Sequence, residues 1–264
     1  MLKNLSLIIL FLAVLSSCTK KTEDPAPVAD FTVTVSGQSP SATLQIVNNS
    51  TNAATYSWTF GKGASVATST DKVPAGLKVD KAGQLTVTLV ATNGTLTSTK
   101  TVQVAVAGNS AVVSYTDLEF SLTAGSTTYG RLFSFDGAGK MYKDSEINAT
   151  VAPTLHLAFG TINSSILFFD SPTATRYNVT GATVTNVMNF LSPSPISLSA
   201  FDTIVDDSSI NSLVITNSMD SFGVSNASSG NIILFQLASG RKGVVKTKAI
   251  NAARILVDIK IQKY

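Results

Sequence analysis

The chain has 264 residues, with one cysteine, one histidine, a formal net charge of +3 and only 13% charged residues. A zinc site needs three or four nitrogen or sulfur ligands, which this composition does not supply. A single cysteine also excludes an internal disulfide. The length suffices for two ordinary domains, and a composition rich in Val, Thr, Ser, Asn and Gly favours an all-β fold.

The first residues have the layout of a secretory signal peptide. Lys3 provides a positive start, an apolar run extends from Leu5 to Leu15, and the small residues Ser16 and Ser17 precede Cys18. The apolar run is shorter than the about 20 residues that span a bilayer. An ordinary signal peptide with an incidental cysteine is the alternative interpretation.

The four residues from Leu15 to Cys18 resemble the lipobox of bacterial lipoproteins. This resemblance implies that residues 1–17 are removed, that Cys18 is lipidated, and that the N-terminal lipid holds the protein at a membrane. Several acyl chains on one residue would anchor it durably, whereas a single chain binds only marginally. The residue that follows the cysteine is Thr19 and not an aspartate. By resemblance to the sorting rules of some Gram-negative bacteria, this favours transfer to the outer membrane. We therefore expect a protein lipid-anchored at the outer membrane or cell surface, with residues 18–27 as a linker.

Residues 28–107 show apolar residues at every second position. A period of two places these residues on one face of a β-strand. The alternating sets are Phe31, Val33 and Val35; Leu44 and Ile46; Tyr56, Trp58 and Phe60; Leu85, Val87, Leu89 and Ala91; and Val102, Val104 and Val106. Five or more such strands predict a sandwich of two antiparallel sheets. Trp58, the only tryptophan, is expected in its core.

This region resembles a PKD domain. Residues 56–63 match the family's Tyr-x-Trp-Asp-Phe-Gly-Asp-Gly turn, and residues 83–93 match the strand that follows it. The resemblance implies an immunoglobulin-like spacer or adhesion module without catalysis. Thr59 and Lys62 replace the family's aspartates, and Leu85 replaces its aromatic residue. No cation is therefore expected at this turn.

Residues 111–264 are predicted to form a second, larger β-sandwich or β-rich domain, separated from the first by a turn at 108–110. The predicted strands are Tyr115–Leu122, Tyr129–Phe135, Thr154–Phe159, Ser165–Phe169, Leu213–Thr216, Asn231–Leu237, Lys242–Ala249 and Arg254–Gln262. Residues 181–200 are predicted to be a long connection, and no segment shows a sustained helical period. Residues 130–134 and 240–246 resemble a domain of uncharacterised surface lipoproteins, which implies no function.

Candidates for catalysis or metal binding are few. His156 has no Gly-x-Ser-x-Gly motif to accompany it, and a partly exposed histidine on a strand is the favoured interpretation. Asp202, Asp206 and Asp207 are close in sequence. A pair of carboxylates could hydrolyse a glycoside, and the carboxylates of Asp202–Asp207 could also bind calcium. The third interpretation is structural, because aspartates commonly cap turns. We expect no enzyme, no resident metal and no cofactor.

Aromatic side chains on the second domain could stack on a sugar or a protein chain. The candidates are Phe168, Phe169, Tyr177, Phe190, Phe201 and Phe222. The adjacent Phe168 and Phe169 should point to opposite faces of a strand, which makes one of them a candidate for exposure. Burial of most of these rings in a core is the favoured interpretation.

Basic residues are concentrated at the end of the chain, with Asp258 as the only acid among them. They are Arg241, Lys242, Lys246, Lys248, Arg254, Lys260 and Lys263. They could form a patch for an anionic partner, but protection of exposed strands against edge-to-edge aggregation is favoured. No aromatic residue interleaves them before the last position, so no nucleic-acid partner is expected.

Three functions fit these patterns. A surface-anchored, non-catalytic binding or adhesion module for a polysaccharide or a surface protein is favoured. A structural envelope spacer is the first alternative, and a glycoside hydrolase hidden in residues 111–264 is the second.

Overall fold

A computed structural model describes residues 24–163, 165–189, 193–218 and 220–264. The strands of the first half are β1 (Phe31–Ser36), β2 (Ala42–Asn48), β3 (Thr55–Phe60), β4 (Thr68–Ser69), β5 (Lys78–Val79), β6 (Gly83–Asn93) and β7 (Leu96–Val106). Those of the second half are β8 (Val112–Ser121), β9 (Leu132–Ser134), β10 (Lys140–Tyr142), β11 (Leu157–Ile162), β12 (Ile166–Asp170), β13 (Thr185–Met188), β14 (Phe222–Gly223), β15 (Ile232–Leu237), β16 (Lys242–Ile250) and β17 (Arg254–Gln262).

The helices are few and short. They are α1 (Leu198–Thr203), α2 (Ser208–Asn211) and α3 (Val224–Ser229), together with 3-10 turns at Asp144–Glu146 and Ala152–Thr154. The predominance of strands confirms the all-β prediction. Within the described ranges, no helix is both long enough and apolar enough to cross a membrane.

The first sandwich consists of the sheets β1-β2-β5 and β4-β3-β6-β7. The predicted alternation is confirmed on β6, where every second residue from Leu85 to Ala91 is buried. Trp58 is fully buried, as predicted, and packs edge-to-face on Phe31 with ring centroids 5.0 Å apart. Its indole Nε1 donates a hydrogen bond to the carbonyl oxygen of Asp71 at 2.9 Å. Trp58 is therefore the centre of this core.

The second sandwich consists of the sheets β10-β9-β11-β12-β14 and β13-β15-β16-β17-β8. One hydrophobic cluster contains side chains from both sheets. Phe120 of the second sheet meets Phe169 of the first edge-to-face at 5.2 Å, and Phe235 stacks on Phe135 at the same distance. Two sheets that face each other across a shared core form a sandwich, which confirms the prediction of a second, larger one.

Both sheets of the second sandwich are also covered on their outer faces. On one sheet, Phe201 and Ile210 of the short helices pack against Leu234 and Val244 in a cluster of their own. β15 therefore buries both of its faces, and all of its residues from Ile232 to Phe235 are buried. On the other sheet, a smaller cluster around Leu132, Leu155 and Ala158 includes residues of the segments before β11 and after β12.

Two predicted elements of this half are wrong, and its short helices were not predicted. The predicted strand at 213–216 is irregular chain, in which Leu213 and Ile215 face the sheet while Val214 is 83% exposed. Alternation there arises from packing of an irregular segment and not from a strand ladder. The predicted connection at 181–200 contains β13 and the start of α1. The short helices were not predicted because they are too short to show a period; α1 begins where the Ser197 hydroxyl accepts a hydrogen bond from the Ala200 amide at 3.0 Å.

The chain between the two sandwiches makes hydrogen bonds on both sides. The Ser110 amide donates to the buried carboxylate of Asp207 at 2.8 Å. The Ser110 hydroxyl accepts from the Ala82 amide at 3.2 Å. Asp80 of the first sandwich accepts hydrogen bonds from Lys263 and Tyr264. Among the described residues, the two main hydrophobic clusters have no member in common.

Candidate ligand-binding site

Several residues of the predicted anchor lie outside the described residues. These are Cys18, the predicted signal peptide 1–17 and most of the linker 18–27. The last linker residues are described and lie against the first sandwich. There, the carbonyl oxygen of Pro25 accepts a hydrogen bond from the Asn93 amide group at 3.0 Å.

The turn at residues 61–63 is held by backbone interactions. The Gly61 amide donates to the carbonyl oxygen of Thr86 at 2.8 Å. Gly63 has a φ of +105°, and a Cβ at this position would collide with the Lys81 side chain. Glycine is therefore required here for conformation and close approach. The turn contributes no carboxylate, in agreement with its sequence.

His156 does not lie on a strand, contrary to prediction; it directly precedes β11. Its side chain is only 14% exposed, and its Nε2 lies 3.9 Å from Oδ1 of Asp136. Nδ1 accepts a hydrogen bond from the Phe135 amide at 3.1 Å. Burial lowers the pKa of His156 below its ordinary value. This side chain ties two loops together, and among the described residues no serine hydroxyl hydrogen-bonds to it.

The three neighbouring aspartates bind three different partners. Asp202 pairs with Lys246 at 2.7 Å. Asp206 accepts a hydrogen bond from the Ser208 amide at 2.9 Å, and hydrogen bonds from Ser208 lower its pKa. Asp207 accepts from Ser110, as described above. Across the described ranges, no three His, Cys, Asp or Glu residues are close enough to hold a metal ion together.

The basic residues near the end of the chain each have a partner within it. These partners are Gln262 for Arg241, Asn211 for Lys242, Asp202 for Lys246, Asp117 and Asp258 for Lys248, Glu119 for Arg254, three backbone carbonyls for Lys260, and Asp80 for Lys263. β16 and β17 are inner strands of their sheet. The prediction that these lysines protect a sheet edge is therefore wrong.

Phe168 and Phe169 point to opposite faces of β12, as predicted, but neither is an exposed candidate, because both are buried, at 5% and 1% exposure. Phe169 faces the core between the sheets. Phe168 faces outward, but the guanidinium carbon of Arg176 covers its ring, 4.1 Å from the centroid. Phe201 and Phe222 are buried as well. Tyr177 is half-buried, and Phe190 lies outside the described residues.

The outer side of the sheet β10-β9-β11-β12-β14 carries two arginine–carboxylate pairs beside aromatic rings. We call this surface the arginine–aromatic face; it comprises Arg131, Asp144, Phe168, Asp170, Arg176 and Tyr177. Nε of Arg131 donates to both carboxylate oxygens of Asp144, at 2.7 and 2.9 Å, and its guanidinium carbon lies 5.0 Å from the centroid of Tyr177. Nε of Arg176 lies 3.2 Å from Oδ2 of Asp170.

Gly160 of β11 makes this arrangement possible. A Cβ on Gly160 would lie 2.5 Å from the Tyr177 hydroxyl oxygen and 2.6 Å from Cε2 of Phe168. Only glycine lets both rings lie directly on the strand. Glycine inside a strand pattern marks such a close approach, and this was the one sequence signal that could have indicated the face.

Two cavities open on the arginine–aromatic face. The first has a volume of about 330 Å³ and is lined by Arg131, Asp144 and Tyr177. The second has a volume of about 440 Å³ and is lined by the Phe168–Arg176 pair together with Ile162 and Ile166. Both volumes are in the range of small-ligand pockets, about 300–1,000 Å³.

Titratable groups on this face are perturbed by burial. Burial raises the pKa of Asp170 above its usual value. Burial also raises the pKa of Tyr177, whose hydroxyl has no hydrogen-bond partner among the described residues. A buried hydroxyl without a partner is costly, by about 1–3 kcal/mol. Perturbed groups beside a cavity are typical of functional sites.

Comparison with known proteins identifies part of the chain. Residues 29–106 match the PKD domain family, so the chain contains a PKD domain. This confirms the resemblance seen in the sequence and shows a non-catalytic, immunoglobulin-like module of the adhesion or binding type. Neither the curated proteins nor the solved structures yielded a match.

Proposed function

We propose that the protein is a lipid-anchored protein of the outer membrane or cell surface that binds a glycan or a protein without catalysis. In this proposal the lipid on Cys18 holds the chain at the membrane. The PKD domain then spaces the second sandwich away from the lipid. The arginine–aromatic face of that sandwich binds the ligand.

One observation carries the proposal: two cavities flank a single face on which charged pairs and rings are packed together. Arginine–carboxylate pairs present donors and acceptors side by side in fixed geometry. Arginine and tyrosine are also enriched among the residues that dominate binding energy at interfaces. On this face Arg131 and Tyr177 line the same cavity.

The carboxylates of the face support binding over hydrolysis. Glycoside hydrolysis requires a pair of carboxyl groups on either side of the scissile bond, about 5–9.5 Å apart. Here Asp144 and Asp170 are each held by an arginine, at 2.7 and 3.2 Å. Each arginine holds its carboxylate in the role of a fixed acceptor. We therefore favour a binding module over a hydrolase.

A glycan array and a pull-down of surface proteins, both with the whole lipid-free chain, test this proposal. The comparison is the double variant Arg131→Lys/Arg176→Lys, which keeps both charges but loses the planar guanidinium groups. Arg254→Lys is the matched control, because Arg254 also pairs with a carboxylate, Glu119, at 3.0 Å outside the face.

We expect at least one ligand that the wild type and the control bind and that the double variant binds about tenfold more weakly. Absence of any ligand in both assays would favour the structural spacer instead. Equal binding by the double variant would place the binding surface elsewhere.

A further inference from the structure

The first cavity presents hydrogen-bond donors that the chain does not use. Arg131 binds Asp144 through Nε alone, and its two terminal NH₂ groups have no hydrogen-bond partner among the described residues. The side chains of Asn178 and Thr180 line the same cavity, are exposed, and likewise make no hydrogen bond within the described ranges. A ligand that suits this cavity is therefore rich in acceptors.

Apart from Tyr177 and the polar side chain of Asn148, the remaining lining of the cavity is aliphatic. It is formed by Leu132, Ile147, Ala152 and Val179. These side chains offer a surface for C–H groups but no aromatic plane for an extended π-system. Its volume of about 330 Å³ is at the small end of the range for ligand pockets. A single saturated ring fits these properties better than a flat aromatic ligand does.

The charge of the cavity selects the kind of anion. The free end of a guanidinium presents two parallel N–H groups, which match a planar carboxylate in bidentate geometry. Asp144 already neutralises one unit of charge beside Arg131. The pair has no net charge, so an anion is held by the free N–H groups of Arg131, and a singly charged group is less repelled by Asp144 than a doubly charged phosphate would be.

We infer that the first cavity binds a uronate residue of an acidic polysaccharide, with the sugar carboxylate on the terminal nitrogens of Arg131. The sugar hydroxyls then accept hydrogen bonds from Asn178 and Thr180, and the ring packs on the aliphatic wall. This inference deepens the proposed function and rests on it, because it names the ligand class of the same face.

Arg176 is the alternative anion site on the same face. It also pairs with a carboxylate, Asp170, and contacts an aromatic ring, Phe168. It lines the second cavity and not the first, and its side chain is 41% exposed. Solvent screens its charge more than that of Arg131, whose side chain is 19% exposed.

Isothermal titration calorimetry of the whole lipid-free chain with trigalacturonate and with neutral galactotriose tests the inference. We expect trigalacturonate to bind about tenfold more tightly than galactotriose, with an affinity that falls as salt is added. Arg131→Lys should weaken trigalacturonate binding about tenfold and more than Arg176→Lys does, whereas Arg254→Lys, outside the face, should leave it unchanged. Thr180→Val, which removes only the hydroxyl group at an exposed position, should weaken binding by a smaller factor.

Equal affinity for the neutral trisaccharide would overturn the uronate inference and leave the binding function standing. So would loss of binding in Arg176→Lys but not in Arg131→Lys. Failure of the wild type to bind either trisaccharide would also overturn the inference. The array and pull-down described above then decide separately whether the proposed function survives.

Discussion

Phe235→Ala is predicted to unfold the second sandwich at lower temperature and leave the PKD domain unaffected. Phe235 is fully buried and stacks on Phe135, with ring centroids 5.2 Å apart. Its ring lies directly over Gly243, where a side chain would collide with it. Loss of a buried phenylalanine costs about 3–5 kcal/mol. We expect the upper part of this range, because Gly243 has no side chain that could move into the space.

The single tryptophan makes the two sandwiches distinguishable in one experiment. Trp58 is buried in the PKD domain, so its fluorescence reports that domain alone, whereas far-UV circular dichroism reports both. A loss of about 4 kcal/mol lowers the melting temperature of a domain of this size by roughly 10 °C. In Phe235→Ala we expect that shift in the dichroism signal and an unchanged fluorescence transition.

The charged pair across the junction is too weak to change this expectation. The Lys263–Asp80 pair is partly exposed, with 42% of the lysine side chain accessible, and such pairs contribute about 0–1 kcal/mol. Leu89→Ala is the reciprocal control, because Leu89 is fully buried in the PKD domain and should shift the fluorescence transition. A fluorescence transition that falls as far as the dichroism signal in Phe235→Ala would refute the independence of the two cores.

Four further predictions concern single residues. Cys18→Ser should abolish lipidation, and equal incorporation of radiolabelled palmitate in mutant and wild type would contradict this. Lys260→Gln should destabilise the second sandwich by about 1.5–3 kcal/mol in urea unfolding, because the Lys260 ammonium group donates to three carbonyl oxygens around the end of α1 at 2.8 to 3.2 Å. An unchanged midpoint of the urea unfolding curve would show that these hydrogen bonds contribute nothing. Gly160→Ala should displace Tyr177 and cost about 1–3 kcal/mol through overpacking, and wild-type stability together with wild-type binding would argue against the close approach. Burial lowers the pKa of His156, so the unfolded chain binds the proton more readily, and the free energy of unfolding falls as the pH drops through the ordinary value of about 6.5. His156→Asn, which keeps an acceptor for the Phe135 amide, should flatten that fall in unfolding curves measured between about pH 7 and pH 5. An unaltered pH dependence would exclude His156 as its source.

The PKD domain was predictable because its sheets each have one face in the core and one in water. The alternation of β6 reports that directly, and Trp58 marks the centre. The second sandwich was predictable as a class but less so in its elements. Where β15 is buried on both faces, alternation disappears, and where residues 213–215 pack as irregular chain, alternation appears without a strand.

The candidate site could not be predicted because its members are distant in sequence. Arg131 precedes β9, and Tyr177 follows β12; only the pairing of both strands with β11 brings their neighbourhoods together. The basic residues illustrate the same limit. Local charge asymmetry was visible in the sequence, but the partners of Lys248 and Lys263, Asp117 and Asp80, are supplied by distant strands and loops.

Hydrogen exchange of the whole lipid-free chain, with and without the glycan or protein that binds best in the array and pull-down, tests the central claim most directly. We predict that the ligand slows amide exchange in residues 144–152 and 177–180, which include most of the lining of the first cavity, and leaves residues 29–106 unchanged. Slowed exchange confined to residues 29–106 would show that the PKD domain binds the ligand, and would contradict binding at the arginine–aromatic face.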